Sequence, residues 1–207
     1  MRPRTVHVFV FDGMADWEAA FALAGIRNPE FQLHPGRYAV KTVGRSYASV
    51  VSMGGLRLLP DMTLDELVPA DSAMLILPGG QAWESGGNTR AVEKAARFIA
   101  EGIPVAAICA ATLALARAGL LAGRLHTSND AAYLAASRYR AGEFYRNVPA
   151  IADGNVVTAS GIAPIEFAYE IFKLLDLYEP QTLQAWYELY KHGDAAGYYE
   201  LAGAVAS

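Results

Sequence analysis

The stretch that decides the fold is residues 103–123, which read IPVAAICAATLALARAGLLAG. Its first seven residues form a short apolar run, which predicts a buried strand over 103–109. The residues that follow Cys109 are small and apolar and predict a helix that begins at Ala110. The stretch therefore predicts a sharp turn from strand to helix, with the single cysteine of the chain at its corner.

Outward from this turn, strand-like and helix-like segments alternate along the chain. Strands are predicted at 6–11, 38–44, 73–80 and 103–109, and helices at 17–26, 63–68, 88–102, 110–123, 129–137 and 164–177. Turn residues at 53–55 and 153–154 predict two hairpins. Because nearly continuous apolar strands alternate with helices, we predict a mostly parallel α/β sheet that is covered on both faces.

Two finer predictions concern the ends of these elements. Asp16 precedes the first helical pattern and is expected to cap that helix. No linker or repeat divides the chain, so we expect one domain over 1–178, followed by a helical extension over 179–207 that is rich in Trp and Tyr. Trp186, Tyr187 and Tyr190 offer more apolar surface than a small domain covers, which predicts a homodimer.

Composition excludes several classes of protein. The 207 residues are 53% hydrophobic and 18% charged, with a net charge of −4, which argues against disorder and against nucleic-acid binding. One cysteine forms neither an internal disulfide nor a cysteine-based zinc site. The longest uncharged stretch, 103–116, is shorter than the roughly 20 residues of a membrane span, and the N-terminal apolar run is too short for a signal peptide. We expect a cytoplasmic protein without membrane contact.

The candidate chemistry lies at the predicted strand ends, where open α/β sheets place their sites. Cys109 occupies the position of a nucleophile elbow, and the positive end of the following helix favours a thiolate. Glu18 begins the first helix, and Gly79 and Gly80 follow a buried strand where their amides could approach an oxyanion. His126 is the histidine nearest to a predicted strand end. No phosphate-binding loop or dinucleotide fingerprint is present.

Each of these residues also has a structural interpretation. A single cysteine is commonly a small buried apolar residue. A glutamate in the first turn of a helix complements the helix dipole. The two glycines fit an ordinary loop, and the aromatic residues of the extension fit a packing surface. The residues alone leave both interpretations open.

Taken together, four segments resemble the DJ-1/PfpI (ThiJ) family. They read FDGMADWE, LILPGG, AAICAAT and TASGIAPIEFA, and the similarity runs over about residues 6–177. The resemblance implies a flavodoxin-like three-layer α/β/α sandwich, a dimer, and chemistry at an elbow cysteine that matches Cys109. It further implies Glu18 as the acidic partner, and Gly79, Gly80 and the amide of Ala110 as oxyanion donors.

The histidine of the family does not match cleanly. Peptidase-type members place it directly after the cysteine, where this chain has Ala110. In other members the histidine position corresponds to Ser128, so that His126 falls about two residues early. No histidine has a glutamate two residues later, so a true glutamine amidotransferase is not expected.

The leading hypothesis is therefore a cysteine-dependent hydrolase or a glyoxalase- or deglycase-type lyase that acts on a small electrophile or an acyl bond. Cys109 is the nucleophile, Glu18 a hydrogen-bond partner or proton shuttle, and His126 an optional base, with no metal and no organic cofactor. We expect a lowered pKa for Cys109 and a protonated Glu18 beside it. The alternative is a redox sensor or stress chaperone whose Cys109 is oxidised to sulfenic and sulfinic acid.

Overall fold

The computed structural model describes residues 3–137 and 139–206, which fold around a seven-stranded sheet. The strands are β1 (Arg4–Phe9), β2 (Tyr38–Gly44), β3 (Val50–Val51), β4 (Arg57–Leu58), β5 (Met62–Thr63), β6 (Ser72–Leu77), β7 (Val105–Ile108), β8 (Ala150–Asp153) and β9 (Val156–Ala159). The large sheet has the order β5-β2-β1-β6-β7-β9-β8 and is parallel except for β8, which runs antiparallel to β9. The predicted hairpin near residue 53 forms the separate pair β3–β4.

Helices cover both faces of the large sheet, as the alternating pattern predicts. They are α1 (Asp16–Arg27), α2 (Gln81–Glu84), α3 (Thr89–Ala100), α4 (Ala110–Arg117), α5 (Ala131–Ala135), α6 (Pro164–Leu175), α7 (Pro180–Tyr187) and α8 (Ala195–Ala206). One core cluster joins the sheet to α1 and α6, with Phe167 and Phe172 fully buried. The other joins it to α3 and α4, with Phe98 and Leu115 fully buried. The flavodoxin-like α/β/α sandwich is confirmed.

The parallel order of β6, β7 and β9 positions the candidate site. Because these strands are parallel neighbours, their carboxyl ends meet at one edge of the sheet. The loops that leave this edge begin after Leu77, Ile108 and Ala159. Three segments of the sequence that are far apart in the chain are thereby brought to one place.

The C-terminal extension packs on the outer side of α1 and α6. Trp186 is only 4% exposed, because its ring lies 5.0 Å from that of Phe172 and 6.3 Å from that of Phe21. The ammonium group of Lys191 lies 2.6 Å from the carboxylate of Glu166 and tethers the five-residue π-helix that follows α7. The chain itself therefore covers Trp186, contrary to the surface argument for a dimer. The dimer and the domain boundary at residue 178 stay predictions.

Two local predictions are wrong. Residues 63–68 do not form a helix: β5 ends at Thr63, whose amide and hydroxyl both donate to Glu66 at 2.8 Å and close a turn. Asp16 does not cap α1, because Ala15 occupies the cap position. Its carboxylate instead accepts hydrogen bonds from Ser52 and from the amide of Gly54, which fixes the β3–β4 hairpin over the start of α1.

The structure also bears on membrane contact. No helix in the described ranges is both long and apolar enough to span a bilayer.

Candidate active site

Cys109 stands at the corner between β7 and α4 in a conformation that side chains rarely adopt. Its φ of 58° and ψ of −128° are backbone angles that glycine adopts readily and that residues with a side chain rarely adopt. Such a conformation costs roughly 1–3 kcal/mol and persists only where the surroundings enforce it. Here the Cys109 amide donates to the Ala159 carbonyl at 3.0 Å, and the Thr112 hydroxyl donates to the Cys109 carbonyl at 2.6 Å. The backbone thus holds a half-buried thiol above the edge of the sheet.

Glu18 reaches this thiol from α1. Its side chain is 1% exposed, accepts a hydrogen bond from the amide of Gly79 and is hydrogen-bonded to Cys109. Burial raises the pKa of Glu18 to about 7, against the opposing effect of these hydrogen bonds. At neutral pH the carboxyl group is therefore present in both protonation states.

Two glycines allow the backbone to close around the Cys109–Glu18 pair. A Cβ atom at Gly79 would lie 2.7 Å from the Cβ of Cys109 and 2.7 Å from Oε2 of Glu18. A Cβ atom at Gly161 would lie 2.7 Å from the sulfur. Neither position has room for a side chain. Gly161 was not predicted as a site residue, although it lies in the segment TASGIAPIEFA after a strand.

Asn129 is a second residue that sequence reasoning missed. Its Nδ2 donates to the sulfur of Cys109 at 3.3 Å, and its Oδ1 accepts from the amide of Gly161 at 2.9 Å. The signal in the sequence was its position directly after Ser128, which aligns with the family histidine. An asparagine one residue later reaches the sulfur instead.

The predicted oxyanion donors have different roles. The Gly79 amide donates to Glu18, whereas the Ala110 amide acts on the sulfur and lowers the pKa of Cys109. Gly80, at φ 155°, has no space for a Cβ, which would lie 2.8 Å from the Gly13 carbonyl oxygen. Within the described part of the chain, the Gly80 amide has no hydrogen-bond acceptor. The Gly80 amide therefore stays free for an oxyanion.

His126 does not join the site. Its ring is fully buried, with Nδ1 2.7 Å from the Arg124 carbonyl oxygen and Nε2 hydrogen-bonded to the Tyr139 hydroxyl. Both ring nitrogens are thus occupied by partners other than Cys109, and burial lowers the pKa of His126. Ser128, in the family's histidine position, bonds to Thr112 at 2.6 Å. The geometry does not support a Cys109–His126 pair.

The electrostatics of the thiol also differ from our expectation. Burial, followed by the negative charge of Glu18, raises the pKa of Cys109 to about 11, while donors from Asn129 and Ala110 act in the opposite direction. The position of Cys109 at the start of α4 alone predicts a lowered pKa. Because each negative charge disfavours the other, the pair carries one negative charge between about pH 7 and pH 11.

No metal site accompanies this arrangement. Over residues 3–137 and 139–206, no three side chains of His, Cys, Asp or Glu lie close enough to hold a metal ion.

The chain resembles known proteins over nearly its full length. The family model described as "DJ-1/PfpI family" matches residues 4–174. The "Uncharacterized protease YoaZ" of Bacillus subtilis is 38% identical over 208 residues, which cover 99% of both chains. "Deglycase PfpI" of Pyrococcus furiosus is 44% identical over 75 residues, 36% of this chain and 45% of that protein. A crystal structure of a thiJ/pfpI family protein from Bacillus anthracis has 36% identity and a TM-score of 0.91, covering 100% of this chain and 99% of the other. With the matched fold and family model, this chain belongs to the DJ-1/PfpI family.

Proposed function

We propose that this protein is a cysteine-dependent enzyme that converts small reactive carbonyl compounds, with 2-oxoaldehydes as the leading substrate class. The observation that carries the proposal is the strained Cys109 held against a buried carboxyl group whose pKa is about 7. A group that titrates near the working pH both accepts and donates protons efficiently. Glu18 is therefore suited to carry every proton that the reaction at the sulfur moves.

The first step is addition of the thiol to the aldehyde carbon. The Glu18 carboxylate takes the proton of the thiol as the sulfur forms a bond to that carbon. The electron pair of the C=O double bond moves to oxygen, which then takes the proton from Glu18. The product is a hemithioacetal, and Glu18 returns to its starting form. The Gly80 amide is the donor available to the oxygen while it carries negative charge.

The second step is an internal oxidation and reduction. The Glu18 carboxylate removes the hydrogen from the carbon that bears sulfur and passes it to the neighbouring carbonyl oxygen, which gives an enediol. Glu18 then takes the hydroxyl proton from the sulfur-bearing carbon and delivers it to the neighbouring carbon. The former aldehyde carbon is thereby oxidised to a thioester, and the neighbouring carbonyl carbon is reduced to an alcohol. Water then hydrolyses the thioester to a 2-hydroxy acid and restores the thiol. No external oxidant or cofactor is consumed.

Peptide hydrolysis has less support than carbonyl conversion, although two relatives are named proteases. Release of an amine from a thiol adduct calls for an acid, and a neighbouring histidine is the usual donor. His126 is engaged by Arg124 and Tyr139 instead. Relatives named as deglycases support a reaction at carbonyl carbon.

The test is turnover of methylglyoxal, followed by its loss and by formation of lactate. We expect turnover by the wild type, none by Cys109→Ser, and a loss of about 10²- to 10⁴-fold in Glu18→Leu, the range in which general acid–base groups contribute. Glu101→Gln is the matched control, because this exposed glutamate follows α3 at the opposite end of the sheet. Undiminished turnover by Cys109→Ser would refute the proposal. The proposal would also be refuted if the wild type turned over no 2-oxoaldehyde while mild peroxide oxidised its thiol. That result would favour the redox sensor.

A further inference from the structure

The orientation of the Asn129 side chain is fixed by its partners. A backbone amide only donates hydrogen bonds, so the oxygen of Asn129 must face the Gly161 amide, 2.9 Å away. The NH₂ group then faces the sulfur of Cys109 at 3.3 Å. Asn129 is thus a hydrogen-bond donor to the sulfur, and as an amide it does not take up a proton there.

Hydrogen bonds also fix Gly161 and the residues on either side of Asn129. The Gly161 carbonyl accepts from Nε1 of Trp17 at 3.0 Å, so this glycine is fixed on both sides. Before Asn129, the Thr127 amide donates to the Thr158 hydroxyl at 2.9 Å. After it, the Asp130 carboxylate caps α5 through the Ala132 amide at 2.7 Å. The NH₂ group is therefore directed at the sulfur before any substrate arrives.

The groups around the sulfur have two separate roles, proton transfer and hydrogen-bond donation. Glu18 is the titratable side chain hydrogen-bonded to it, whereas Asn129 and the Ala110 amide contribute hydrogen-bond donors. Donors that keep their protons favour negative charge on the sulfur whichever form Glu18 takes. They act on the thiolate as it forms and on the sulfur as it leaves the thioester.

We propose that Asn129 is a catalytic hydrogen-bond donor to the reacting sulfur. This inference rests on the proposed function of Cys109 and adds to it how the thiol is activated without a second base. Proton transfer is left to Glu18 alone. The pH profile of turnover should therefore show one ionisation near neutral pH, that of Glu18, and no second ionisation from a histidine.

Two variants separate a donor from a structural support. Asn129→Ala loses both contacts, whereas Asn129→Asp keeps an oxygen for the Gly161 amide and replaces only the donor. A hydrogen bond to a charged group changes ionisation by about one to two pKa units. Loss of the donor lowers the fraction of thiolate, but a thiolate with a higher pKa is also a stronger nucleophile, which offsets part of that loss. We therefore expect thiol modification at neutral pH to slow about three- to tenfold in Asn129→Ala. It should slow further in Asn129→Asp, which adds a negative charge.

The probe is a small disulfide reagent, so the readout needs no substrate and does not depend on whether the proposed reaction is right. Glu101→Gln is the control, because this exposed side chain follows α3 at the opposite end of the sheet; its rate should stay within about twofold of wild type. Asn129→Asp reacting as fast as the wild type would overturn the inference and leave Asn129 a support for Gly161.

A measurement on the wild-type fold keeps the test decisive if the aspartate variant does not fold. In NMR spectra of the wild type, the Asn129 side-chain amide protons should shift when the thiol is modified and should differ in Cys109→Ala. Protons that respond to neither change would count against the hydrogen bond to sulfur and against the role proposed for it.

Discussion

Replacing Glu18 by glutamine should change thiol reactivity and turnover in opposite directions. The substitution removes the negative charge that, after burial, raises the pKa of Cys109 to about 11. The glutamine oxygen still accepts from the Gly79 amide, so the shape of the site is kept. The thiol should therefore ionise more readily, while the group that carries protons in the proposed reaction is lost.

The magnitude follows from the contact between the two groups. A unit charge at about 4 Å and an effective dielectric constant of about 20 contributes about 4 kcal/mol, an upper limit for this half-buried pair. At 1.36 kcal/mol per pKa unit, the pKa of Cys109 should fall by at most about three units. Because the pKa of Glu18 is about 7, about half of the wild-type pairs already lack this charge at pH 7, so the rate of thiol modification should rise only about twofold there and about tenfold near pH 9, where Glu18 is ionised.

The assay is the rate of reaction with a small disulfide reagent between pH 6 and pH 10, beside turnover of methylglyoxal. Glu18→Leu also removes the charge, but it makes the site more apolar and lacks the amide donor that a glutamine supplies, so its reactivity should rise less. Glu101→Gln should change neither rate. If Glu18→Gln slows thiol modification, the single negative charge of the pair resides on sulfur with Glu18 protonated, and the reasoning above is refuted.

Three further predictions concern the surroundings of the pair. Gly161→Ala should destabilise the fold by roughly 1–3 kcal/mol and slow thiol modification, because the new methyl group would lie 2.7 Å from the sulfur. Thermal unfolding and the rate of thiol modification check the two effects. His126→Phe should lower the free energy of unfolding by about 1–3 kcal/mol, since it leaves the Arg124 carbonyl and the Tyr139 hydroxyl without their partner. The modification rate of Cys109 should nevertheless stay within about twofold of wild type. A loss of turnover equal to that in Cys109→Ser would restore His126 as a base. Sedimentation should give twice the 22.2 kDa mass of the chain, and a monomer at micromolar concentration would contradict the predicted dimer.

The framework of the fold was predictable because it depends on apolar periodicity. The strand 38–44 was predicted at its observed bounds, and the turn at Asp153 and Gly154 joins two strands as expected. The segment 63–68 was not predictable in the same way. Its apolar residues fit a helix, but a side-chain contact between Glu66 and Thr63 closes a turn, and Pro69 follows directly.

The site was predictable only in part, for a physical reason. Cys109 and Gly79 follow strands of the parallel sheet, so local pattern and sheet order are enough to bring them to one edge. Asn129 lies in a loop before α5, and its contact with the sulfur depends on where that loop crosses the edge. His126 was misplaced for the same reason, because nearness in sequence to a strand end does not fix the direction of a side chain.

The pKa of Cys109 shows most clearly what a local argument omits. The position at the start of α4 supplies the expected stabilisation of negative charge, and the Ala110 amide indeed acts in that direction. Burial and the neighbouring Glu18 outweigh it, because each carries a larger free energy than a partial helix charge. A thiol that keeps its proton at rest, beside a carboxyl group that titrates near pH 7, is ionised only as it attacks. Glu18 therefore both suppresses the free thiolate and supplies the base at the moment of reaction, which is why removing its charge should separate reactivity from turnover.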